Sequence, residues 1–79
     1  MTQRKLTVDT ELAAIYWTML HRPGEPISLV SQQDIAKAKR VIYDLAKQGK
    51  IKNHGDQARG QALWDLTELH RVYSQRTTR

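Results

Sequence analysis

Seven of the chain's thirteen lysines and arginines fall between residues 37 and 59 (Lys37, Lys39, Arg40, Lys47, Lys50, Lys52 and Arg59), and only Asp44 and Asp56 oppose them there. That window alone is +5, equal to the formal net charge of the whole 79-residue protein, and the rest of the chain is balanced. Guanidinium and ammonium groups donate hydrogen bonds to phosphates and neutralise them, so such a lopsided distribution suits approach to a polyanion from one side. A solvated basic face that only keeps the chain soluble is the alternative.

Few other residues suggest chemistry. His21, His54 and His70 lie far apart with no metal-ligand spacing between them. The carboxylates Asp44, Asp56, Asp65 and Glu68 have surface or helix-capping roles available to them. Neither a phosphate-cradling glycine loop nor a nucleophile elbow is visible. The expectation is therefore no catalysis, no metal and no cofactor. There is no cysteine, so packing or self-association must supply the stability that disulfides give other small domains. No apolar run resembles a signal peptide or a membrane span, which leads to the expectation of a soluble, cytoplasmic protein with no membrane partner.

The elements that must position the basic window are helical, with one hairpin. Leu12, Ile15, Tyr16 and Met19 recur at helical spacing, widened by Ala13, Trp17 and Leu20, and Thr7 or Asp9 is placed to cap that helix. Pro23, Gly24 and Pro26 end it. Residues 27–30 form a short apolar run, read as an extended edge strand. Ser31 and Asp34 have capping-box spacing, with Asp where Glu or Gln is usual, and Ile35, Ala38, Ile42 and Leu45 then line one face. Neither Gly nor Pro interrupts residues 31–48, so a single helix is permitted. A helix-turn-helix, however, needs a break, and the small and charged residues 38–40 are its most plausible place. Gly49 stops the helix.

Residues 50–53 and 61–64 are expected to pair as a hairpin around the polar, glycine-containing HGDQARG loop. Asp65 and Glu68 repeat the capping-box spacing before a last helix that turns Leu66, Leu69, Val72 and Tyr73 inward. Trp17 and Trp64 are expected to anchor the core, and Tyr43 its edge.

This order of elements predicts an α+β fold, a small winged helix-turn-helix with three to four helices and a two- or three-stranded antiparallel wing sheet. Residues 9–73 would form a DNA-binding domain between a flexible N-terminus (residues 1–8) and a mobile basic tail (residues 74–79). In the recognition helix, Lys37, Lys39, Arg40, Asp44 and Lys47 are the candidate DNA contacts. Lys39 and Arg40 would lie near its start, and Asp44 would pair with Arg40 or Lys47. In the wing the candidates are Lys52, His54, Gln57 and Arg59, with Arg59 suited to a narrow minor groove and His54 a surface donor. A protein-interaction module that docks a partner on Trp17 and Tyr16 is the competing possibility.

IYDLAKQGKI at residues 42–51 and LWDLTEL at residues 63–69 resemble the small excisionases, or recombination directionality factors, and the related MerR-like winged-helix domains. The resemblance covers about 30 residues. It implies a phage or mobile-element protein, working in a bacterial host's nucleoid, that binds double-stranded DNA near an attachment site. Such proteins often bind side by side, bend the DNA and bias an integrase toward excision, and some repress transcription.

Overall fold

The computed structural model describes residues 6–77. Strand β1 (Thr7–Val8) runs antiparallel to β2 (Trp64–Asp65), with Thr7 opposite Asp65 and Val8 opposite Trp64. Asn53 bridges Trp64 from the other side, so the Trp64 backbone is the middle of three paired segments. Bonds from Leu66 N–H to Leu6 O (3.0 Å) and from His54 N–H to Leu63 O (2.8 Å) extend both pairings.

This sheet corrects three expectations. The hairpin of residues 50–53 and 61–64 contracts to one bridge, because the Asn53 side chain takes the N–H groups of Gly55 (2.8 Å) and Leu63 (3.1 Å) and so interrupts the ladder. The strand on the far side of β2 comes from Thr7–Val8, at the end of the supposedly flexible terminus, while Met1–Lys5 lie outside the described residues. Ile27–Leu29 is a 3-10 turn rather than a strand, closed by Leu29 N–H on Pro26 O and Val30 N–H on Ile27 O.

Helix α1 (Thr10–His21) starts where Asp9 Oδ1 accepts the Leu12 N–H at 2.8 Å. It buries Ala13, Ala14, Trp17 and Thr18, while Ile15, Tyr16 and Leu20 of the expected face pack half-buried against that core and Leu12 stands 53% exposed. Two adjacent alanines let α1 approach closely where larger side chains would hold it off, so the small residues face the core.

Helix α2 (Gln32–Lys47) begins with the expected capping box: Ser31 Oγ accepts from Asp34 N–H at 3.1 Å, and Asp34 Oδ2 accepts from Ser31 N–H at 3.0 Å. It is continuous, and Ile35, Ala38, Ile42 and Leu45 are buried along it. The expected break at residues 38–40 is absent because nothing there stops the ladder. The turn of the helix-turn-helix lies earlier, in residues 22–31, where Pro23 and Gly24 end α1. Gly49, at φ +77°, closes α2 in a Schellman arrangement with bonds from Lys50 N–H to Leu45 O and from Gly49 N–H to Ala46 O.

Helix α3 (Leu66–Thr77) buries Leu69 and Val72, with Leu66 and Tyr73 packed against the core. It extends through most of the expected mobile tail, since no residue from 74 to 77 breaks a helix and the Arg76 guanidinium lies 6.0 Å from the Trp17 ring centre. Thr78 and Arg79 lie outside the described residues. Three helices with this small antiparallel sheet constitute a winged-helix architecture. Trp64, Ile42 and Leu69 are its largest fully buried side chains, and the Trp64 indole N–H donates to Thr10 Oγ1 at 2.9 Å. Among the described residues no helix is long and apolar enough to cross a membrane.

The long turn is tied to α2 by Arg22, whose two terminal nitrogens reach the two Asp34 oxygens at 3.1 and 3.0 Å. The Ser31 backbone N–H, the Arg22 bond and the Ser31 hydroxyl together hold the Asp34 carboxyl below its ordinary pKa. A group depressed in the folded state contributes stability above its unfolded pKa and loses it as pH falls through the folded value. The melting temperature of wild type should therefore exceed that of Asp34→Asn at neutral pH. The gap should hold down to about pH 5 and close under more acid conditions, which thermal melts across pH will show.

Candidate nucleic-acid interface

The face of α2 opposite its buried stripe carries Gln33, Lys37, Arg40, Asp44 and Lys47, all exposed. Their alternating steps of four and three place them in one row on a 3.6-residue helix, about 21 Å long at 1.5 Å per residue. Four sequence-based candidates, Lys37, Arg40, Asp44 and Lys47, thus share one surface. Lys39 does not: it is half-buried and turned about a third of a circumference from that row. Because α2 begins at Gln32, Lys39 and Arg40 lie in mid-helix rather than at its start. The expected pairing of Asp44 with Arg40 or Lys47 is absent among the described residues, so neither cation is neutralised by it.

Sequence reasoning missed Gln32 and Gln33, the exposed residues of the first turn. The signal for them was the Ser31 cap, which places both at the N-terminal end that helix-turn-helix proteins turn toward base edges. Gln amides are suited to the donor-acceptor pair of adenine in the major groove. Tyr43 joins this helix to the wing strand, its ring standing edge-on to Trp64 at 5.7 Å and 86°.

In the wing, Asp56 organises the tip. Its backbone oxygen accepts from Arg59 and Gln61 N–H groups (3.1 and 2.9 Å), and Oδ1 accepts from Ala58 N–H at 3.0 Å. The resulting 3-10 turn, Gln57–Arg59, leaves the Arg59 side chain 84% exposed, with Nε 3.6 Å from Asp56 Oδ2. Gln57 begins the turn, and its side chain lies outside the described residues. Lys52 is exposed, and its backbone N–H donates to Glu68 Oε1 at 3.1 Å.

Gly55 sits where the two arms of the wing nearly touch. A Cβ there would lie 2.5 Å from Gln61 O and 2.9 Å from Leu63 N, both backbone atoms. Gly55→Ala is expected to cost about 1–3 kcal/mol in urea unfolding, since the arms must move apart to admit the methyl group.

His54 departs from its expected role as a surface donor. Its side chain is 13% exposed, and Nε2 lies 3.2 Å from Glu68 Oε2. The reason is Glu68, which does not reach back to complete a capping box. Asp65 Oδ1 instead accepts the Thr67 N–H at 2.8 Å, and Glu68 turns to the wing base. Folding thereby gathers His54, Asp65 and Glu68 so that one ligand atom from each lies within 4.8 Å of the others, a grouping that sequence spacing gave no hint of. Comparison with protein-family models, curated proteins and solved structures gives no match to this chain.

Proposed function

We propose that the protein binds double-stranded DNA in a sequence-directed way, with α2 in the major groove and the wing on an adjacent minor groove or its phosphates. The observation that supports this most is the outward row of α2, in which Lys37, Arg40 and Lys47 stand exposed and without acidic partners among the described residues, on a fold often used for DNA binding. Gln32 and Gln33 supply amide edges for base reading, and Lys52 and Arg59 supply cations at the wing. No catalytic step or cofactor belongs to the proposal.

The finer form of the proposal is an excisionase-type protein that binds side by side near an attachment site, bends the DNA and directs an integrase toward excision. A small winged-helix transcriptional regulator is the other form. Self-association fits both, since Leu6 and Leu12 are 60% and 53% exposed, and Leu6 shares a concavity with Tyr16 and Leu66. The competing partner-docking face loses one of its two residues, because Trp17 is buried.

Selection of bound duplexes from a random library, followed by anisotropy on selected and scrambled duplexes across salt, tests the proposal. Selected sites should bind at least about tenfold more tightly, with affinity falling steeply as salt rises. Equal, weak binding to both would refute it.

A further inference from the structure

We propose that His54, Asp65 and Glu68 form a site for a divalent transition-metal ion of the zinc class, which fastens the base of the wing to the start of α3. The three residues come from separate places: the segment just after the Asn53 bridge, the end of β2 and the first turn of α3. One imidazole nitrogen and two carboxylate oxygens suit a borderline ion such as Zn²⁺.

Geometry and charge support the site independently. Zinc–nitrogen and zinc–oxygen bonds of about 2.0–2.2 Å set ligand atoms about 3.3 Å apart in a tetrahedron. His54 Nε2 and Glu68 Oε2 are already 3.2 Å apart, and all three ligand atoms fall within 4.8 Å. Side-chain rotations that close the widest gap by up to about 1.5 Å complete three corners, leaving the fourth for water.

The charge observation concerns Asp65, which is only 9% exposed. One of its oxygens accepts the Thr67 N–H at the start of α3, while the other, with no protein donor among the described residues, keeps some contact with solvent. Beside it lies a second carboxylate, Glu68, whose side chain is 27% exposed. A divalent cation held between the two carboxylates balances both of their charges. The outer shell is also present: the Lys52 N–H holds Glu68 Oε1 and leaves Oε2 for the metal. On binding, neutral His54 presents the Nε2 lone pair with its proton on Nδ1, and Glu68 Oε2 exchanges its imidazole hydrogen bond for the ion.

The site implies that metal stabilises the fold and stiffens the wing, whatever the wing contacts. The test is calorimetric titration of ZnCl₂ into the full, tag-free chain, with thermal melts in parallel, for wild type, Asp65→Asn, Glu68→Gln and His54→Ala. Both isosteric variants keep the oxygens that accept from Thr67 and Lys52, so they remain informative if His54→Ala fails to fold. Wild type should bind one zinc with a Kd of about 10 µM or tighter and melt at a higher temperature with zinc than without it. Asp65→Asn and Glu68→Gln should each weaken binding by about 10- to 100-fold, and His21→Ala and His70→Ala should leave it unchanged. Wild type that binds no zinc, or binding that both isosteric variants retain in full, would overturn the proposal.

Discussion

The double substitution Lys37→Ala/Arg40→Ala is expected to lower affinity for a selected duplex by about 30- to 1,000-fold while leaving the melting temperature unchanged. Both side chains are exposed, adjacent on the outward row of α2 and unpaired with acidic groups among the described residues. Their loss therefore removes the proposed DNA contacts without opening the core. If both contact phosphates, the slope of log affinity against log salt should also fall by about two. Lys39→Ala provides the contrast. Half-buried on another flank of the same helix, it should alter affinity far less, although its change in charge is the same. Anisotropy titrations of the three proteins on one duplex will separate a positional effect from a general effect of net charge.

Trp64→Ala is expected to destabilise the domain by about 3–5 kcal/mol, more than the Gly55→Ala change in the wing. Its indole is 1% exposed at the centre of the core. It donates to Thr10 Oγ1, meets the Tyr43 ring edge-on, and its backbone pairs with both Val8 and Asn53. Helix α1 and helix α2 therefore converge on one side chain, whose residue is also the middle of the sheet. Small domains have total stabilities of about 5–15 kcal/mol, so this loss should leave a substantial unfolded fraction. Trp64→Phe keeps most of the buried ring but loses the bond to Thr10, and should fall between wild type and Trp64→Ala in urea unfolding.

Local features of this fold are legible in the sequence. The Ser31–Asp34 capping box, the Gly49 stop, the stripe of Ile35, Ala38, Ile42 and Leu45, and the burial of both tryptophans follow from residue type and helical period alone. The position of the turn does not. Helix-turn-helix connections are usually three or four residues long, which directs attention to the middle of residues 31–48. In this protein the connection is longer, containing Pro23, Gly24 and a 3-10 turn, and it is tied to α2 by the Arg22–Asp34 pair.

The other differences are long-range. Nothing local tells Thr7 that it will pair with Asp65, or His54 that Glu68 will turn toward it. The rotation of α1 depends on α2, because Ala13 and Ala14 become core residues only when a neighbouring helix comes close enough to use their small size. Within the candidate interface, Lys37, Arg40, Asp44, Lys47 and Arg59 were legible because exposure follows from the helical period and loop composition. Gln32 and Gln33 were hidden by the misplaced turn.

The most direct test of α2 and the wing as the DNA-facing surface is a map of backbone amide shifts in a nitrogen-15 NMR titration with a selected duplex. On a duplex long enough for one copy only, the largest changes are expected at Gln32, Gln33, Lys37, Arg40 and Lys47 and in the wing from Gly55 to Gly60, with Leu12, Tyr16 and His70 little affected. Changes centred on Leu6, Leu12 and Tyr16, with the outward row of α2 unmoved, would contradict the assignment.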